Sequence, residues 1–194
     1  MRFIADNPDV PVVQMDSVIG NKSGKVLLTM FSRNTNLLLA FLRDHNTARS
    51  VLDVFNDLYA MFGRETYCRL FPVILTDRGS EFSNPVPIEQ DENDELRSLV
   101  FYCNPSAPYQ KGGIEVAHEL VRRVLPKGKS FDDLQQEDID LMLSHINSYK
   151  RGKLNSRSAY QLFNFIYGDD ILPKLNIREI EANDIVLSPK LLKK

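Results

Sequence analysis

The chain of 194 residues is long enough to bury a sizeable core, and its 43% apolar and 26% charged residues are ordinary for a globular domain. No apolar run approaches the roughly 20 residues of a bilayer-spanning helix, and the acidic N-terminus is unlike a signal peptide, so we expect a cytoplasmic protein without membrane contact. The two cysteines exclude a disulfide framework, and the net charge of −2 is not typical of a nucleic-acid-binding domain.

Five segments have the apolar content and flanking turn residues of strands, at 11–20, 24–33, 36–43, 70–77 and 99–103. The first three are so close in sequence that they predict an antiparallel meander. The fourth is nearly all apolar, which is typical of a strand covered on both faces. Residues 83–97 are polar and acidic and predict a loop with at most a short helix.

Helices are predicted between and after these strands. Thr47 has the position of an N-cap for a helix that Gly63 is expected to end. Three more segments have helical periodicity, at 114–125, 132–151 and 158–168. This order of elements predicts an α/β fold with a mixed five-stranded sheet and helices on both faces. Residues 169–194 have weaker periodicity and are expected to form a C-terminal extension.

Three carboxylates are candidates for a shared site. Asp16 lies inside the first predicted strand, Asp77 ends the fourth, and Glu115 lies in the first turn of a later helix. If the first and fourth strands are neighbours, these acids converge and repel one another unless a cation lies between them. Carboxylate oxygens suit Mg²⁺, so the pattern indicates a metal site, although an ordinary capped turn also explains Asp77. Glu119, one helical turn after Glu115, is the reserve candidate.

Four residues around these acids each allow two interpretations. Gly79 either ends the strand at the edge of an active site or is an ordinary turn glycine, and Glu81 either supports the site or begins a helix. Gly112 and Gly113 form either a mobile loop or a plain start of the following helix. His118 is expected on the surface.

The segments "VVQMDSVIG", "ILTDRGSEF" and "NPSAPYQKGGIEVAHELVRRVLPKG" together resemble the catalytic core of DDE transposases and retroviral-type integrases, in particular the bacterial branch named after insertion sequence thirty. The resemblance runs from about Asp16 to Gly168. It implies a ribonuclease-H-like catalytic core over residues 1–168, followed by the extension 169–194. It also implies catalytic and metal-binding roles for Asp16, Asp77 and Glu115.

The resemblance further implies a reaction. Two Mg²⁺ or Mn²⁺ ions would support DNA strand cleavage and strand transfer, with transposon ends and target DNA as partners and a homo-oligomer as the active assembly. The best candidates for DNA phosphate contacts are the basic residues around the helix of Glu115 and the turn after Asp77, namely Lys111, Arg122, Arg123, Lys127, Lys129 and Arg78.

The chain departs from the family pattern at two positions beside the acids. Arg78 and Val116 stand where many relatives have asparagine. No helix-turn-helix reader of terminal repeats precedes Asp16, so we expect a catalytic domain separated from its reader or a truncated product. Two alternatives therefore stay open: a catalytically silent remnant that binds DNA or oligomerises, and a ribonuclease-H-like nuclease.

Overall fold

A mixed five-stranded sheet forms the centre of the fold in the computed structural model, which describes residues 2–21, 24–104 and 107–192. Its strands, in chain order, are β1 (Val12–Ile19), β2 (Val26–Ser32), β3 (Leu38–Arg43), β4 (Val73–Thr76) and β5 (Leu99–Tyr102). Their spatial order is β3-β2-β1-β4-β5. The first three pair antiparallel as a meander, and β4 pairs parallel with both β1 and β5. The α/β class and the mixed sheet expected from the sequence are confirmed.

Seven α-helices in the described residues precede, separate and follow the strands of this sheet. They are α1 (Arg2–Asp6), α2 (Ala48–Leu70), α3 (Val86–Glu89), α4 (Gly112–Val124), α5 (Gln136–Ser148), α6 (Ala159–Tyr167) and α7 (Ile171–Lys174). A two-stranded hairpin of β6 (Lys150–Arg151) and β7 (Arg157–Ser158) precedes α6. The sequence pattern predicted a helix to residue 151, but α5 ends at Ser148 and the hairpin begins at Lys150. No helix within the described ranges is both long and apolar enough to cross a membrane.

Helix α2 begins as predicted, with the Thr47 hydroxyl accepting a hydrogen bond from the Ser50 backbone N–H at 3.2 Å. The prediction that Gly63 ends this helix is confirmed for its first segment, and a second helical segment follows it. Gly63 takes a non-helical conformation with φ of 71°, and the helix resumes after this kink and runs to Leu70. Tyr67 of this second segment is wholly buried in the core, and the glycine between the two segments accounts for the kink.

The two faces of the sheet bury different residues, because alternate side chains of a strand point in opposite directions. Val13 and Ile74 belong to the main core cluster. Val12 and Val73 form a smaller cluster on the opposite face, where Ile4 of α1 packs against them. Helices therefore cover both faces, and the carboxyl end of β1 is partly exposed, at Asp16 and Ser17.

The described part of the predicted C-terminal extension packs onto the core. Ile171 and Leu172 are buried in the main cluster, and the backbone N–H of Arg178 donates to the Ser144 hydroxyl on α5 at 3.1 Å. The domain boundary after residue 168 stays a prediction. Residues 105–106 of the loop before α4 and residues 193–194 of the extension lie outside the described residues.

Candidate active site

Asp16 on β1 and Asp77 directly after β4 lie at the same end of two neighbouring parallel strands. The last paired residues of β1 and β4 are Gln14 and Leu75, and each aspartate follows its strand's paired residue by two positions. The side chains are partly accessible, with 25% of Asp16 and 48% of Asp77 exposed. The sequence-based expectation that the first and fourth strands are neighbours is therefore confirmed, and the two carboxylates converge.

A lysine ammonium lies between the two carboxylates. Lys111 Nζ is 3.2 Å from Asp16 Oδ2 and 2.9 Å from Asp77 Oδ2. Burial by itself lowers the pKa of Lys111, but the charges of Asp16 and Asp77 and their hydrogen bonds outweigh it and raise the pKa above its ordinary value. The side chain is therefore charged at neutral pH and acts as the counter-ion of both acids. From the sequence it was a candidate for the DNA-facing surface.

Backbone amides orient the two aspartates. The Ser17 N–H donates to Asp16 Oδ1 at 2.8 Å, and the Gly79 N–H donates to Asp77 Oδ1 at 3.0 Å. Each carboxylate thus has one oxygen fixed by its own chain and the other turned to the shared cation. The tight turn at Gly79 also brings its backbone close to Glu81, since a Cβ at Gly79 would lie 2.6 Å from Glu81 Oε2.

His118 takes part in the site, so the expectation of a surface position is wrong. The Thr29 hydroxyl donates to the Asp16 carbonyl oxygen at 2.9 Å and lies 2.8 Å from His118 Nε2. Because the hydroxyl has only one hydrogen, it must accept from Nε2–H, which sets the tautomer of the ring. Burial lowers the pKa of His118, with the charge of Asp16 opposing, so the ring is neutral at pH 7.

A partly buried polar network involves Ser17, the residue after Asp16. Arg43 donates to the Ser17 hydroxyl at 3.1 Å and to Asn46 Oδ1 at 2.8 Å, while Asn46 Nδ2 donates to Glu81 Oε1 at 3.0 Å. Burial lowers the pKa of Arg43 to about 10, and the charge of Glu81 opposes this shift. Glu81 both belongs to a short 3-10 helix (Ser80–Phe82) and contacts this network, so both interpretations of it hold.

Gln14 holds the start of α4 against β1, a role that sequence reasoning missed. Its side chain is 3% exposed and accepts from the Ile114 N–H at 2.7 Å while donating to the Gln110 carbonyl oxygen at 2.9 Å. The available signal was a polar residue between the apolar side chains Val13 and Met15 of β1. The two contacts flank Lys111 and fix its backbone beside the aspartates.

Glu115 is not brought into the cluster. It lies in the first turn of α4, and its side chain is exposed. The side chain of Glu119, one turn later, is exposed as well. Over residues 2–21, 24–104 and 107–192, no three acidic, histidine or cysteine side chains converge closely enough to hold a metal ion. The structure thus joins two of the three candidate acids, and the role of Glu115 stays a prediction.

The other basic candidates differ in accessibility. Arg122 is half-buried and donates to the Ile19 carbonyl oxygen at 3.0 Å. Arg78 is exposed in the turn after Asp77, with its guanidinium 5.7 Å from the centre of the Tyr102 ring. Three more basic candidates near the end of α4 and beyond it are also exposed: Arg123, Lys127 and Lys129.

Sequence comparisons find relatives that are named as an integrase and as transposases. No family model matches the chain. It is 28% identical to "Putative integrase ORF3" of Spiroplasma virus SpV1-R8A2 B over 151 residues, which is 78% of this chain and 45% of that protein. It is 23% identical to the transposase for insertion sequence element IS4351 of Bacteroides fragilis, over 78% of this chain and 44% of that protein. It is 22% identical to transposase InsI for insertion sequence element IS30A of Escherichia coli K12, over 76% of this chain and 36% of that protein. The chain thus spans less than half the length of these relatives.

Structure comparisons agree with the sequence comparisons. The catalytic core domain of BIV integrase superposes with a TM-score of 0.52 at 21% identity, over 80% of this chain and 92% of that one. The simian T-cell lymphotropic virus intasome in complex with PP2A regulatory subunit B56 gamma gives 0.56 at 16% identity, over 89% of this chain and 58% of that one. The chain is therefore a relative of insertion-sequence transposases and integrases, with the ribonuclease-H-like fold of an integrase catalytic core.

Proposed function

We propose that the chain is the catalytic domain of a DNA transposase or integrase that cleaves DNA strands and transfers them. The observation that carries this proposal is the convergence of Asp16 and Asp77 on one cation, at 3.2 and 2.9 Å from Lys111 Nζ. The carboxyl ends of parallel strands are where open α/β sheets bind their ligands. The named relatives act as integrases and transposases, which supports DNA as the substrate.

The donor set at this edge suits Mg²⁺ or Mn²⁺. Both Oδ2 atoms are hard oxygen ligands aimed at a single positive charge, and Mg²⁺ is commonly held by one or two carboxylates plus substrate phosphates. Asp16 and Asp77 would hold the metal, with Glu115 as the candidate third carboxylate of a two-ion site. When bound, such ions stabilise the charge on the attacking and leaving oxygens of an in-line phosphoryl displacement.

The chain's own residues prepare this geometry before any ligand arrives. Ser17 and Gly79 fix one oxygen of each aspartate through their backbone N–H groups. Thr29 and His118 hold the backbone of Asp16 from the side of α4. Because these contacts are made in the folded chain, little reorganisation is needed at the moment of reaction, which is how preorganised sites lower barriers.

The proposed partners are transposon ends and target DNA, held by a homo-oligomer of the complete protein. One solved structure of the same fold is an intasome, which supports an assembly of this kind. A protein that acts on DNA in this way is expected to work in the cytoplasm of its cell. No covalent protein intermediate is required, because the residues position groups and the metal supplies charge.

Metal-dependent cleavage of DNA tests the proposal. We expect the chain to nick supercoiled plasmid DNA in Mg²⁺ or Mn²⁺ and to leave it intact in EDTA, and to leave RNA–DNA hybrids largely uncut. Faster cleavage of the hybrid strand would identify a ribonuclease-H-like nuclease instead. DNA binding without cleavage in either metal would identify a catalytically silent remnant.

DNA binding by this chain alone should be weak, independent of sequence and steeply salt-dependent. The exposed residues Arg123, Lys127 and Lys129 lie near the end of α4, and each phosphate contact contributes through counterion release. Replacing all three by Ala should weaken binding to every sequence alike and flatten the slope of log K against log salt by about 2–3 units. Fluorescence anisotropy over a salt series measures this, with Lys174→Ala as the exposed control. An unchanged slope would place the DNA contacts elsewhere.

A further inference from the structure

The position between the two aspartates is built to hold an ammonium. Lys111 is only 7% exposed, and its Nζ has three acceptors: Asp16 Oδ2 at 3.2 Å, Asp77 Oδ2 at 2.9 Å and the Met15 carbonyl oxygen at 3.4 Å. The contacts to Asp77 and Met15 are hydrogen bonds and the contact to Asp16 is an ion pair, so the ammonium is surrounded by three oxygen partners. In the metal-free chain the lysine is thus a structural part of the site.

The backbone that carries Lys111 is fixed, so only its side chain is free to move. The Gln14 side chain contacts the Gln110 carbonyl oxygen at 2.9 Å and the Ile114 N–H at 2.7 Å, on either side of the lysine. Gly113 also lies so close to β1 and β2 that a Cβ there would be 2.5 Å from Phe31 Cε1. The four-carbon stem of lysine is flexible and carries a single compact charge, which allows it to leave the acids while the chain stays in place.

A divalent cation shared by Asp16 and Asp77 needs the same two oxygens. An oxygen-ligated Mg²⁺ lies about 2.1 Å from each ligand, so an ion bound to both Oδ2 atoms would face the lysine ammonium at short range. Like charges at that separation in a partly desolvated site repel strongly. The ammonium and the metal therefore exclude each other from this position.

We propose that Lys111 is the built-in cation of the metal-free site and that the divalent metal must displace it to bind Asp16 and Asp77. This inference rests on the proposed function, because it assumes that the two aspartates hold a metal. The displaced ammonium has lost both carboxylate partners and is free to contact a DNA phosphate, which reconciles its burial here with its place among the DNA-binding candidates. Lys111 thus lowers the apparent metal affinity of the free chain. Metal binding in turn releases the lysine ammonium, which can then bind a DNA phosphate.

A Mn²⁺ titration by isothermal calorimetry compares the wild type with Lys111→Met, which removes the charge and keeps the length. We expect Lys111→Met to bind Mn²⁺ about tenfold or more tightly, because the binding-competent state is no longer a minor one. Without metal, the same variant should melt a few degrees lower, because its two carboxylates lose their counter-ion. The control Lys174→Met removes an exposed lysine on α7 and should match the wild type in both measurements.

These outcomes distinguish a failure of the exchange, in which the metal displaces Lys111 from the two aspartates, from a failure of the proposed function. If the wild type binds Mn²⁺ through Asp16 and Asp77, as loss of binding in Asp16→Asn would show, and Lys111→Met binds equally or more weakly, the exchange alone is overturned. If neither protein binds Mn²⁺, the metal site itself fails and the exchange fails with it.

A second readout needs no variant. Limited acylation of amines in the wild type, followed by mass spectrometry, should modify Lys111 faster in Mn²⁺ than in EDTA, with Lys174 as the internal standard. Unchanged protection of Lys111 in saturating Mn²⁺ would overturn the exchange.

Discussion

Asp16→Asn and Asp77→Asn are each expected to reduce DNA strand cleavage by about three orders of magnitude. Asparagine keeps the shape of the side chain and an oxygen for the Ser17 or Gly79 N–H, but it removes the negative charge that a metal requires. Metal ligation supplies several kcal/mol of transition-state stabilisation, and each 1.36 kcal/mol is a factor of about ten in rate. Single-turnover cleavage of labelled DNA in saturating Mg²⁺ measures the effect. Retention of most of the activity in either variant would remove that aspartate from the site.

Glu115→Gln is expected to lose cleavage as well, while its metal-free stability stays that of the wild type. Its exposed carboxylate makes no hydrogen bond or ion pair with any residue in the described ranges, so its removal breaks no contact among them. Glu119→Gln, on the same helix one turn later, is the matched control and should keep full activity. If the two results were reversed, Glu119 would be the third acid.

The aspartate variants should also differ from Glu115→Gln in thermal unfolding. Repulsion among converging acids, taken alone, predicts that removing one of them holds or raises stability. The structure changes this expectation for Asp16 and Asp77, because both are paired with Lys111. Breaking one pair leaves a largely buried ammonium with a single carboxylate, so both aspartate variants should melt below the wild type without metal. The pairs are partly exposed, which keeps the expected decrease small.

The sheet and its two aspartates could be predicted from the sequence because their signals are local. Short apolar segments separated by turn residues define the strands, and an aspartate followed by a turn glycine marks a strand end. The parallel pairing of β1 with β4 then brings Asp16 and Asp77 together. Each step needs only strand geometry, so no side-chain conformation has to be known.

The surroundings of the aspartates could not be predicted in the same way, because they depend on contacts between distant residues. Lys111 looks like any basic residue in a loop, and its insertion between the acids follows only from the position of α4 against β1. His118 meets Thr29 across 89 residues of chain. The second helical segment after Gly63 was likewise not predicted, and its Tyr67 is wholly buried in the core.

The two glycines before Glu115 give the sharpest test of how rigidly α4 is held. Both lie at the start of the helix, and from the sequence alone they were equally compatible with a mobile loop. In the structure they differ. A Cβ at Gly113 would lie 2.5 Å from Phe31 Cε1 and 2.9 Å from Gln14 Oε1, whereas a Cβ at Gly112 would meet nothing within 4 Å.

Gly113→Ala is therefore expected to destabilise the chain by about 1–3 kcal/mol, the usual cost of overpacking a tight contact. For a domain of this size, each kcal/mol lowers Tm by about 2–4 °C. Cleavage should fall with it, because the clash displaces the start of α4 and with it Lys111, Glu115 and His118. Gly112→Ala is the matched control: its backbone is already helical, at φ −55° and ψ −26°, so the substitution should leave Tm unchanged or slightly raised and should preserve cleavage. Thermal unfolding and plasmid nicking of the two variants side by side make the comparison. If both substitutions impaired cleavage without lowering Tm, the glycines would act as a hinge, and the start of α4 would not be fixed by its packing against β1 and β2.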